Sequence, residues 1–114
     1  MLRDAKADDV AIAAQIELIG SKPLSDGIEL LADNTVLITD VENGGLAAMS
    51  PAGELTTLTK DAAVDWADSV TVAPDGVIWF TDSKLTALID QFAMPADQAT
   101  LQASAPYFIY RVAP

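Results

Sequence analysis

Three observations make this sequence an all-β chain. One stretch recurs, short apolar runs are rich in Val, Ile and Thr, and turn residues punctuate them. "SDGIELLADNTVLITD" (Ser25–Asp40) returns as "ADSVTVAPDGVIWFTD" (Ala67–Asp82). Asp26 aligns with Asp68 and Asp40 with Asp82, both at an offset of 42 residues, so no gap intervenes. Val, Ile, Trp, Phe and Thr suit pleated, half-buried surfaces. A unit of about four short antiparallel strands recurring every 40 to 45 residues or so is the pattern of a propeller blade. The predicted fold is a partial β-propeller of about two four-stranded antiparallel blades, preceded by a short N-terminal helix.

The elements follow in order. "ADDVAIAAQ" (Ala7–Gln15) predicts the helix, capped by Asp8 or Asp9 at its positive end, with Val10, Ala13 and Ala14 as a narrow apolar stripe. Alternation over Gln15–Ile19 then predicts a strand, which "GSKP" (Gly20–Pro23) ends. In each repeat an apolar strand (Ile28–Leu31; Val70–Ala73) meets a tight turn (Ala32–Thr35; Ala73–Gly76) and a second strand ending in Thr-Asp. Asn34 and Gly76 tolerate the positive φ that such turns need. The first repeat continues through Leu46–Ser50 and Leu55–Thr59 as third and fourth strands, then the loop Lys60–Trp66. In the second repeat "YFIYRV" (Tyr107–Val112) supplies the third strand. Matching Ile109 to Leu46 gives an offset of 63, hence a 21-residue insertion, with a helical turn expected over Thr86–Phe92 and breaks at Pro95 and Pro106. The chain reads as a single domain, 1–114: helix and lead-in strand over 1–24, first blade over 25–66, second blade over 67–114.

Composition narrows the chemistry. Seventeen acidic against six basic residues give a net charge of −11, which argues against nucleic acid or an anionic membrane surface as partner. Small amines and neutral small molecules are electrostatically tolerated. His and Cys are both absent, so disulfides, thiolate nucleophiles, His bases and Cys- or His-ligated metal sites are excluded. No apolar run suits a spanning helix, and the first residues do not read as a signal peptide.

The stretch "SDGIELLADNTVLITDVENGGLAAMSPAGELTTLTKD", followed by "DWADSVTVAPDGVIWFTDSKL" and "PYFIYRV", resembles the C-terminal part of major royal jelly/Yellow-type proteins, bacterial members included. That resemblance implies a six-bladed ring, exported relatives in secreted or periplasmic locations, and a chain that is a fragment of a ring. It implies small-ligand binding without demonstrable catalysis. More distantly, "SDGI" resembles the gluconolactonase/senescence-marker propellers, where an Asp in such a position helps hold a divalent cation. This second resemblance implies the alternative of a metal-dependent lactonase-type hydrolase, with Asp26 as one ligand to Ca²⁺ or Mg²⁺. Ser83 stands where the royal-jelly-like loop often has Asn.

Asp26, Asp68, Ser69 and Ser83 are therefore the candidate ligand-binding residues, with Asp26 the candidate metal ligand. Against that stands a structural reading, in which the carboxylates of Asp26 and Asp68 accept backbone N–H groups in the lead-in turns. Asp40, Asp82, Asp33 and Asp75 read as turn residues. Trp79 reads as core, and Trp66 as lining the channel mouth or wedging the blades together. Blades with open faces further imply self-association, or burial by blades not on this chain.

Overall fold

The computed structural model describes residues 8–86 and 105–113. One helix, α1 (Asp9–Ala13), precedes seven strands: β1 (Ile28–Leu30), β2 (Val36–Asp40), β3 (Gly45–Met49), β4 (Leu55–Lys60), β5 (Ala67–Val72), β6 (Ile78–Asp82) and β7 (Phe108–Val112). They form two separate antiparallel meanders, β1-β2-β3-β4 and β5-β6-β7. Asp8 caps α1, its carboxylate accepting the Ala11 N–H at 2.8 Å.

Turn chemistry explains the hairpins. Between β1 and β2, the Asn34 N–H reaches the Leu31 carbonyl, Asn34 takes φ 67°, and the Leu31 N–H closes on the Thr35 carbonyl. Between β5 and β6, Gly76, Ala73 and Val77 repeat that arrangement. This is a three-residue loop ending in a left-handed residue, which Asn and Gly adopt at least cost. Asp33 and Asp75 each accept the N–H two residues on, at 2.9 and 3.1 Å. The 42-residue repeat thus extends from letters to individual hydrogen bonds.

The sheets stack face against face. Leu37 and Leu46 of the first meet Ala67, Val70 and Phe80 of the second, with Val64 of the linker, in one buried cluster. Each large side chain so buried contributes about 1.5–3 kcal/mol. Phe80 and Tyr110 stack with centroids 5.2 Å apart on the inward side of the second sheet. Gly27 lies at the tightest point, where a Cβ would stand 2.3 Å from the Asp68 carbonyl. That close approach of two backbones is the reason for glycine in "SDGI".

The outer face of the first sheet is covered at its centre, where Ile38, Ala47 and Met49 are buried, and exposed along its β1 edge; the outer face of the second sheet is partly open. Register puts Ile28 and Leu30 beside Ile38 and Val36 on the far side of the first sheet. It puts Thr71, Trp79 and Arg111 together on the far side of the second. Trp79, expected in the core, is 39% exposed, because nothing among the described residues packs on that side as the second sheet packs on the first.

Two further expectations differ from the structure. Residues 15–19 do not form a strand, and Ile16 and Leu18 are exposed. A strand needs a ladder partner, and among the described residues none pairs with this segment. The second sheet shows three strands rather than four among the described residues. The helical turn expected over Thr86–Phe92 falls, apart from its first residue, outside the described residues, as does most of the insertion.

Candidate functional site

The candidate residues gather where the chain enters β1 and β5 and leaves β6. Asp26 and Gly27 donate their N–H groups to Thr39 Oγ1, at 3.1 and 3.0 Å. One repeat later Ser69 N–H donates to Thr81 Oγ1 at 3.1 Å. The threonines of the two Thr-Asp pairs hold the lead-in turns, the role the sequence assigned to the aspartates. This corrects the structural reading of Asp26 and Asp68 and leaves both carboxylates for other partners.

Those partners differ. The Trp66 indole N–H donates to Asp26 Oδ2, joining the lead-in of the second sheet to that of the first. Ser83 donates its hydroxyl to Asp68 Oδ2, and Ser69 Oγ lies 3.4 Å from Asp68 Oδ1. Trp66 thus bridges the two sheets. Its own backbone is fixed by Asp82, which is buried and accepts from Trp66 N–H at 2.9 Å, Lys84 N–H at 3.0 Å and Asp65 N–H at 3.3 Å. Asp40, its repeat counterpart, caps a turn instead, accepting from Asn43 N–H at 3.0 Å. The aspartates after the threonines are structural, and the second clamps the inter-sheet linker.

Beside Ser83 opens a cavity of about 580 Å³, lined by Thr81, Asp82, Ser83, Tyr107, Phe108 and Ile109. Asp68 stands behind its Ser83 wall. Lys84 Nζ already lies 4.8 Å from the Phe108 ring centroid, so that aromatic face receives a cation in the free protein. The structure connects Asp68, Ser69 and Ser83 by hydrogen bonds. Asp26 shares the same end of the sheets, its backbone against that of Asp68 and Ser69, while its carboxylate is engaged by Trp66. Tyr107 and Phe108 are cavity residues the sequence reading passed over. Their aromatic pair next to Pro106, opposite Thr81-Asp82-Ser83, was the available signal.

Among the described residues no ligand set for a divalent cation is assembled. Asp26 offers one carboxylate with one oxygen engaged, and among the described residues no three acidic groups gather as a cation site. Ca²⁺ takes about six to eight oxygen ligands, so no metal-dependent step is assigned to Asp26.

No family model matches the chain, and no curated protein sequence does. Among solved structures, selenomethionine-substituted virginiamycin B lyase from Staphylococcus aureus is similar over 53% of this chain, with TM-score 0.45 and 21% identity. The chain spans 20% of that lyase's length.

Proposed function

We propose that this chain is a two-blade portion of a royal-jelly/Yellow-type propeller that binds a small amine or a neutral small molecule at the lead-in end of its sheets, without catalysis of its own. The observation that carries the reading is the Asp68–Ser83 pair in the wall of an open cavity of about 580 Å³ with Phe108 and Ile109 on its apolar side. A carboxylate behind a hydroxyl gives an ammonium group a charge-assisted acceptor, and the apolar wall takes a hydrocarbon body. The strongly acidic chain favours cations in its surroundings.

The test is a nuclear magnetic resonance titration with phenethylamine and with its neutral N-acetyl derivative. Saturable shifts at Ser83, Phe108 and Ile109 are expected in the millimolar range, with the amine weakened at least tenfold by Asp68→Asn and the neutral compound little changed. Absence of saturable shifts with both compounds overturns the reading. The lactonase alternative is separated by calorimetry with Ca²⁺, Mg²⁺ and Mn²⁺ on the wild type and Asp26→Ala. Heat of binding that Asp26→Ala abolishes, followed by lactone hydrolysis, would replace the amine reading.

A further inference from the structure

We infer that the cavity beside Ser83 selects zwitterions, an ammonium and a carboxylate on one apolar body, and that Lys84 is the residue that sets this preference. The inference rests on the amine reading above and narrows its ligand class. Two observations carry it.

The first is where the repeat departs from itself. By the offsets of 42 and 63 residues, Ser69, Ser83 and Lys84 stand for Gly27, Val41 and Glu42, and Tyr107 and Phe108 stand for Gly44 and Gly45. The ladder register agrees, since Asp40 pairs with Gly45 as Asp82 pairs with Phe108. Four of these departures bring in hydroxyls or aromatic rings. The fifth, at Lys84, reverses a charge in a chain with 17 acidic and 6 basic residues. All five gather at one place. Ser83, Tyr107 and Phe108 line the cavity, Ser69 Oγ lies 3.4 Å from Asp68 Oδ1, and Lys84 Nζ lies 4.8 Å from the Phe108 ring centroid. In the first repeat no aromatic pair could stand there, because a side chain on Gly44 or Gly45 would run into the Val64 and Thr59 carbonyls. Glu42 is engaged by backbone, accepting the Leu24 N–H at 3.1 Å.

The second is how Lys84 is held. Its backbone takes φ 48°, a left-handed conformation uncommon for a lysine. Buried Asp82 fixes it there, Oδ1 accepting the Lys84 N–H at 3.0 Å. At the other end of the side chain the ammonium rests on the Phe108 ring, which in turn packs at 5.9 Å against Tyr110. A lysine anchored at backbone and tip has already lost much of its rotamer freedom, so less is lost when it meets a ligand.

The wall of the cavity thus carries both signs of charge. With Lys84 on the Phe108 face, a ligand ammonium is repelled from that ring and takes the Asp68–Ser83 pair. A carboxylate on the same ligand meets the Lys84 ammonium, and the hydrocarbon between them lies on Phe108 and Ile109. A simple amine makes only the first of these contacts. A simple acid makes only the second, and is repelled by the net charge of −11, which a zwitterion is not.

Nuclear magnetic resonance titrations at pH 7 with phenylalanine and phenethylamine test the inference, on wild type and on Lys84→Met, which keeps an unbranched apolar stem and removes the charge. Circular dichroism checks that the variant folds. In wild type, phenylalanine is expected to bind about fivefold more tightly than phenethylamine, the scale of a partly solvated ion pair. The Lys84 side-chain methylene signals, shielded by the Phe108 ring in the free protein, are expected to move with phenylalanine and hardly with phenethylamine. In Lys84→Met the preference is expected to vanish, with phenylalanine weakened and phenethylamine unchanged or tighter. Saturable phenethylamine binding with no preference for phenylalanine overturns the inference and leaves the amine reading standing. So does a preference that Lys84→Met does not move. Absence of saturable binding by either compound overturns both.

Discussion

The two sheets share a 42-residue repeat, the same turns and the same threonine clamps, yet equivalent side chains live in opposite surroundings. Val70 is core and Ile28 is surface; Leu37 is core and Trp79 is half in solvent. Residue type does not distinguish them, since all four are large and apolar. The difference is position: Val70 and Leu37 lie between the two sheets, whereas Ile28 stands on the edge strand of the first sheet and Trp79 on the far face of the second. A repeat architecture specifies the shape of an interface without specifying how many times it is filled.

The comparison is broken most sharply by truncating equivalent faces. Leu37→Ala is expected to cost about 2–5 kcal/mol in urea unfolding, from lost transfer energy and the cavity left behind. Ile28→Ala is expected to lie within about 0.5 kcal/mol of wild type in the dilute single chain, because its side chain is already in water. Equal costs would mean that the Ile28 face is covered in the folded molecule.

A smaller contrast separates the two aspartates. Asp82→Ala strands three backbone N–H groups of the linker and of the loop after β6, and is expected to cost about 3 kcal/mol. Asp40→Ala removes the cap of one turn and is expected to cost about 1 kcal/mol. Paired urea melts read both. If the two lose the same, Asp82 is not a clamp between sheets.

The smallest effect is one of pH. Tyr110 sits on the packed side of the second sheet, its hydroxyl 3.4 Å from the Ala63 carbonyl. Burial, and then the charges of Asp82 and Asp61, raise its pKa above the ordinary 10.0. A raised folded pKa means that the neutral phenol is favoured by folding. Its contribution is complete below about pH 10 and is lost as pH rises through the folded value. Tyr110→Phe is expected to be less sensitive than wild type over that alkaline range, as read by thermal melts against pH. An unchanged alkaline limb would place the phenol in an environment like that of the unfolded chain.

Hairpins were the most legible part of the sequence, because they depend on neighbours in the chain. Short apolar runs ending in Thr-Asp define β2 and β6, while Asn34 and Gly76 supply the left-handed residue their turns require. The lead-in strand over Gln15–Ile19 was misread for the opposite reason: alternation records that a segment suits a sheet, and pairing depends on whether a partner edge is present. At the candidate site, the repeat set Asp26 and Asp68 near one another, with Ser69 and Ser83 as separate candidate pocket groups. It did not reveal that Thr39 and Thr81 hold the lead-in turns, since a hydroxyl taking N–H groups from more than ten residues away leaves no local trace.

What the sequence determined by itself was the unit: strand, turn, strand, the glycine that permits close stacking, and the Thr-Asp ending. What only the tertiary structure decided was which face of each unit is covered. Hydrogen bonds of a hairpin are satisfied within some fifteen residues of chain, but burial of a sheet face is a property of whichever surface comes to lie upon it. Ile28 and Val70 carry the same kind of side chain, and a neighbouring sheet makes one of them core.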